Sequence, residues 1–196
     1  MIQLTRTIAA ITASVAVFAA CTTTPPSGSR PEVSHLVFIG DSNLDIGRMR
    51  TEQAGDTRDG KLVPPNTVGE RYADATILPE FLSQRLGLSQ TNYAWGGATT
   101  GMTNIVGARE PNDATNTGAL AQMQEFEAAL NGQSADPDAL YMLMAGSNDL
   151  AFVEKTDQPA IEAAIAGALT NLRTTITKLD DLGAEFIVVG TRTPRP

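Results

Sequence analysis

From Ser34 onward, short continuous apolar runs alternate with longer stretches whose apolar positions recur every three or four residues. A continuous run suits a strand buried on both faces, whereas the longer spacing marks one face of a helix. The first run is HLVFIG at 35–40, and an irregular polar segment follows it to about Thr76. ILPEFLSQRLG then predicts a helix, with Pro79 tolerated in its first turn and Gly87 as its stop. TNYAWGG predicts a second strand. TGALAQMQEFEAALNG predicts a second helix, with Leu120, Met123, Phe126 and Leu130 facing inward and Gly132 as its stop. DALYMLMAG predicts a third strand. A long helix from about Pro159 to Leu182 carries Ile161, Ile165, Leu169, Leu172, Ile176 and Leu179 on one face. Gly183 ends it, and EFIVVGT predicts a fourth strand.

Strands alternating with helices imply a parallel sheet covered on both faces, an α/β fold. Ligands of such sheets bind beyond the carboxyl ends of the strands. Three polar clusters fall at those ends: Gly40-Asp41-Ser42, Gly96-Gly97 and Gly146-Ser147-Asn148-Asp149.

Composition narrows the picture. A chain of 196 residues with 42% hydrophobic and 18% charged residues can bury one substantial core. Its formal net charge of -8 argues against nucleic acid as a partner, since phosphate binding needs basic clusters.

The first thirty-three residues follow a different pattern. Residues 1–20 predict an export signal, whose apolar segment from Ile8 to Ala20 is too short to span a bilayer comfortably. Cys21, the one cysteine, directly follows Phe18-Ala19-Ala20. That arrangement resembles the bacterial lipoprotein signal, in which the cysteine is lipidated and becomes the new N-terminus; Phe18 stands where leucine is usual. Residues 21–33 then form a polar tether rich in Pro, Gly and Ser, leaving 34–196 as the folded domain. The expected location is the cell envelope, with the membrane reached through a lipid on Cys21, or else the exterior. No further cysteine is present, so the domain relies on its core rather than on disulfides.

Ser42 lies one turn past a buried strand, where a nucleophile projects into a cleft. A Gly-Asp-Ser tripeptide also occurs in ordinary turns, so the other clusters decide. An ester carbonyl under attack gathers negative charge on oxygen and needs fixed donors. Gly97 offers a backbone N–H, and Asn148 a side-chain amide. A calcium loop is the competing reading, because Asp41, Asn43, Asp45 and Glu52 occupy its positions 1, 3, 5 and 12. Ile46 stands where that loop turns on glycine, and a strand precedes it where a helix is required, so no metal is expected. Nor is a flavin or nucleotide cofactor expected, since no glycine-rich phosphate loop follows the first strand.

The blocks GDSNLDIG at 40–47, NYAWGGA at 92–98 and GSND at 146–149 together resemble the GDSL, or SGNH, family of serine ester hydrolases. The resemblance implies a flavodoxin-like three-layer α/β/α sandwich. It also implies Ser42 as nucleophile and an oxyanion hole of the Ser42 N–H, the Gly97 N–H and Asn148. Asp41 and Asp45 would organise the first loop, and Asp149 the third. Substrates would be acyl or acetyl esters of a lipid or an acetylated glycan. Asn43 replaces the family's usual leucine. The family also carries an Asp-x-x-His pair near its C-terminus to supply the base.

Here the one histidine is His35. It opens the strand whose far end bears Ser42, roughly 20 Å away at about 3.3 Å per residue. The chain stops in GTRTPRP without an Asp-x-x-His pair. The expectation is a product shortened at its C-terminus, with an incomplete sheet and slow turnover. The alternative is a non-catalytic envelope lipoprotein that binds a small ligand or glycan in the same cleft.

Overall fold

The computed structural model describes residues 32–49, 71–105 and 116–190. The predicted export signal, Cys21, most of the tether, Glu52 and the ending from Thr191 onward lie outside these residues. Four parallel strands form one sheet in the order β2-β1-β3-β4. They are β1 (Leu36–Gly40), β2 (Gln90–Asn92), β3 (Leu140–Met144) and β4 (Phe186–Val189). The helices are α1 (Leu78–Leu86), α2 (Ala119–Leu130) and α3 (Gln158–Asp181), with a single 3₁₀ turn at Asn148–Leu150.

β1 is buried along its whole length because it has a strand on either side and helices on both faces. Its side chains alternate between two cores, as the two-residue repeat of a strand requires. Val37 and Ile39 join Met123 and Phe126 of α2, Tyr141 and Leu143 of β3, and Leu179 of α3. Leu36 and Phe38 point the other way, with Leu44 and Ala94, and Leu82 of α1 packs against them. One helix on one face and two on the other make the expected three layers.

Local chemistry sets the element ends. Pro79 sits in the first turn of α1, the Ile77 N–H donates to Glu80, and Gly87 closes the helix in the left-handed region at φ 68°. The Asp157 side chain caps α3 by accepting from the Ala160 N–H at 3.0 Å. Three expectations need correction. β2 ends at Asn92 rather than Gly97, although its chain continues beside β1 through Tyr93 N–H to Phe38 O (2.8 Å) and Trp95 N–H to Gly40 O (3.1 Å). Asn131, at φ 50°, rather than Gly132, makes the first left-handed step after α2. In α3, Leu172, Ile176 and Leu179 reach the core, but Ile165 and Leu169 are 44% and 60% exposed.

Candidate active site

The carboxyl ends of β1 and β3 and the continuation of β2 bring the three polar clusters to one edge of the sheet. The first loop starts at Gly40. A Cβ there would lie 2.2 Å from the Met144 carbonyl oxygen, so glycine is required by the close approach of β3.

Beyond Gly40 the chain winds into a tight turn, with the Leu44 and Asp45 N–H groups donating to the Asp41 carbonyl. Ser42 is half-buried in that turn. The Asp41 carboxylate accepts from the Asn43 N–H and the Asn43 side chain on one oxygen, and from the Ser147 hydroxyl at 3.1 Å on the other. Asp45 is fully buried, and its carboxylate accepts from four backbone N–H groups: Gly47, Arg48, Met49 and, across the cleft, Gly96 at 2.7 Å. Two carboxylates that could have suited calcium are thus occupied as acceptors of protein donors. Arg48 adds a tie to the scaffold, pairing with Glu125 of α2 and lying 4.7 Å from the Trp95 ring centre.

The second loop reverses at Gly96 and Gly97. A Cβ on Gly96 would sit 2.1 Å from the Tyr72 ring. Gly97 has φ +79°, and its Cβ would meet the Asn104 side chain at 2.5 Å. Its carbonyl accepts from the Ile105 N–H at 2.9 Å, while its own N–H has no protein acceptor among the described residues. Asn104 is buried and braces the reversal, donating to Gly96 O at 2.8 Å and to the Thr117 hydroxyl at 3.0 Å. Burial, helped by the charge of Asp45, pushes the Tyr72 phenol well above its ordinary range, so Tyr72 stands neutral over Gly96.

The third loop reaches both others. Ser147 contacts Asp41 of the first, and the Asn148 amide donates to Ala98 O of the second at 2.8 Å. An amide nitrogen carries two hydrogens, so this bond leaves Asn148 one more to donate. Asp149 was expected to order its own loop. Instead it holds the second loop, accepting from the Thr100 N–H at 3.0 Å and the Thr100 hydroxyl at 2.6 Å. Asn171 of α3 donates to the same hydroxyl.

His35 lies at the other end of β1. Its ring nitrogens are 2.8 Å from the Ser89 and Thr91 hydroxyls, which fixes the imidazole against β2.

Gln122 was missed from the sequence. It is buried on α2, accepts from the Gly40 N–H at 2.7 Å, and donates to Gly40 O at 2.9 Å and Thr117 O at 2.8 Å. One side chain thus grips both backbone groups of the residue two before Ser42. Its spacing, three after Ala119 and four before Phe126, was the available signal.

Residues 36–194 match the protein family described as GDSL-like Lipase/Acylhydrolase. No curated protein matches the chain. Among the solved structures it resembles is a carbohydrate esterase whose active site is described as displaying divergent catalytic and non-catalytic binding functions. The identity is 16% and the TM-score 0.43, over 80% of this chain and 48% of that one, so this chain spans about half the other's length.

Proposed function

This chain belongs to the GDSL-like lipase/acylhydrolase family, and we propose that it acts on carboxylic esters through an acyl-enzyme on Ser42. The observation that carries the reading is the joining of the three loops around Ser42. Ser147 meets Asp41, Asn148 meets Ala98, and Asp45 meets Gly96, while the Gly97 N–H has no protein acceptor among the described residues. In the proposed reaction the Ser42 oxygen bonds to the carbonyl carbon. Negative charge on the carbonyl oxygen is met by the Ser42 and Gly97 N–H groups and by Asn148. Collapse expels the alcohol, which takes up a proton, and water then cleaves the acyl-serine to acid and free Ser42.

Acylation requires a base to take the Ser42 proton. The one histidine, His35, is held by Ser89 and Thr91 beyond reach of Ser42. His35 therefore does not serve Ser42 as a base. That same placement of His35 favours a second reading, a non-catalytic protein that retains a small ligand or glycan in the cleft. A fluorophosphonate probe separates the two. Labelling that Ser42→Ala abolishes supports the acyl-enzyme. A wild-type protein left unlabelled after hours supports the binding reading and sinks the hydrolase.

The domain division and location are part of the proposal: residues 1–20 an export signal, 21–33 a tether lipidated at Cys21, and 34–196 the hydrolase domain of an envelope protein. Its support is the apolar segment, the small residues before Cys21 and the polar stretch after it. Cys21→Ser should move the protein from the membrane to the soluble fraction, and a variant that is processed yet stays membrane-bound would refute the anchor.

A further inference from the structure

The second loop turns on a peptide between two glycines. The Ala98 N–H donates to Trp95 O at 3.1 Å, closing a β-turn whose central residues are Gly96 and Gly97. Of the two, only Gly97 has a positive φ, at +79°. That is the pattern of a type II turn, in which the third residue lies at about +80°. A type I turn differs from it by rotation of the central peptide, with the Gly96 ψ and the Gly97 φ changing by about 150–170°. Glycine at both positions leaves that rotation open, since neither residue has a Cβ to favour one state. We propose that Asn104 is a positioning residue for ester cleavage, holding the Gly96–Gly97 peptide in the orientation that presents the Gly97 N–H to the substrate. This rests on the ester-hydrolase reading and deepens it.

Asn104 acts at the atom that matters. In a trans peptide the C=O and N–H point in opposite directions, so whatever fixes Gly96 O also fixes the Gly97 N–H. Asn104 donates to Gly96 O at 2.8 Å, on the side away from that N–H. Both hydrogens of its amide are spent, the second on the Thr117 hydroxyl at 3.0 Å. The side chain is also buried, so the amide is itself held in place.

Other bonds of the loop do not do this. Asp45 receives the Gly96 N–H, and Ile105 donates to Gly97 O. Those groups belong to the two flanking peptides, which rotation of the central one leaves in place. A rotated peptide would turn its carbonyl oxygen toward the developing oxyanion, replacing attraction by repulsion. Accepting at Gly96 O also polarises the peptide and strengthens its N–H as a donor.

Nitrogen-15 relaxation dispersion at the Gly97 amide reads the peptide directly. The wild-type profile should be flat. Asn104→Leu, similar in volume but without donors, should add μs–ms exchange at Gly97. Its kcat on p-nitrophenyl acetate, normalised to the folded fraction measured by circular dichroism, should fall by about 10–10³, with KM within about twofold. Thr117→Val spares the Gly96 bond and should keep a flat Gly97 profile and a kcat within about twofold. A flat Gly97 profile or an unchanged kcat in folded Asn104→Leu overturns the assignment, as does an equal fall in Thr117→Val. One measurement needs no variant. The wild-type Asn104 side-chain amide should exchange with deuterium oxide far more slowly than that of exposed Asn131, and equal rates overturn the assignment even if Asn104→Leu fails to fold. Failure of the hydrolase reading shows separately, as a wild type unlabelled at Ser42 by fluorophosphonate in which both resonance measurements still find the peptide held.

Discussion

Gly40 and Gly97 are required for different reasons, and the difference predicts different outcomes. Gly40 is a packing glycine, because its missing Cβ is the space through which the Met144 carbonyl approaches β1. Gly40→Ala should destabilise the fold by about 1–3 kcal/mol, the usual cost of overpacking, and urea unfolding would read it as a lower midpoint at unchanged slope. Gly97 adds a backbone demand, φ +79°, to its contact with Asn104. In the proposed reaction Asn148 is an oxyanion donor. Asn148→Ala should lower kcat by about 10²–10³ and leave KM closer to wild type, since the charge it meets develops in the transition state. Steady-state kinetics showing an unchanged kcat would remove it from the oxyanion hole.

At the scale of elements, α2 does more than cover the sheet. Through Gln122 it fixes Gly40, and so the start of the loop that carries Ser42. Gln122→Leu leaves the buried Gly40 N–H without its acceptor and should cost about 1–3 kcal/mol of stability. Its kcat, normalised to the folded fraction measured by circular dichroism, should still fall, which simple loss of folded protein would not produce. The strands and helices themselves were readable because the apolar spacing switches cleanly between continuous runs and helical repeats. Their partners were not. Periodicity shows which face of α3 is apolar but not how far its cover extends, hence exposed Ile165 and Leu169 above a buried Leu179. Gln122 escaped notice because glutamine within a helix reads as solvent-facing unless its exact place on the stripe is tracked. The loop clusters stood out through unusual residue types, whereas Thr100, Asn104 and Tyr72 gain meaning only from contacts distant in sequence.

For the molecule as a whole, three tyrosines couple folding to alkali. Tyr72 and Tyr93 are raised by burial and then by the charges of Asp45 and Glu125 respectively, and Tyr141 by burial and then Asp136. Each keeps its proton in the fold at a pH where the unfolded chain, with tyrosines near about 10, releases it. Their contribution to stability is therefore complete below about pH 10 and is lost as pH rises from there through the folded values. Melting temperature should fall between pH 10 and about 11.5, less steeply in Tyr72→Phe, and native tyrosinate absorbance should appear later than in urea. A melting curve indifferent to alkali would contradict this. The Asp45 carboxylate has a consequence of another kind. Because one side chain receives the Gly47, Arg48, Met49 and Gly96 amides, none can meet solvent until that side chain swings away. In deuterium oxide the four should exchange as one protection class despite spanning two loops, with a common opening free energy. Gly96 exchanging orders of magnitude ahead of Met49 would mean that the two loops open independently, and that the edge bearing Ser42 is a pair of hinges rather than a single latch.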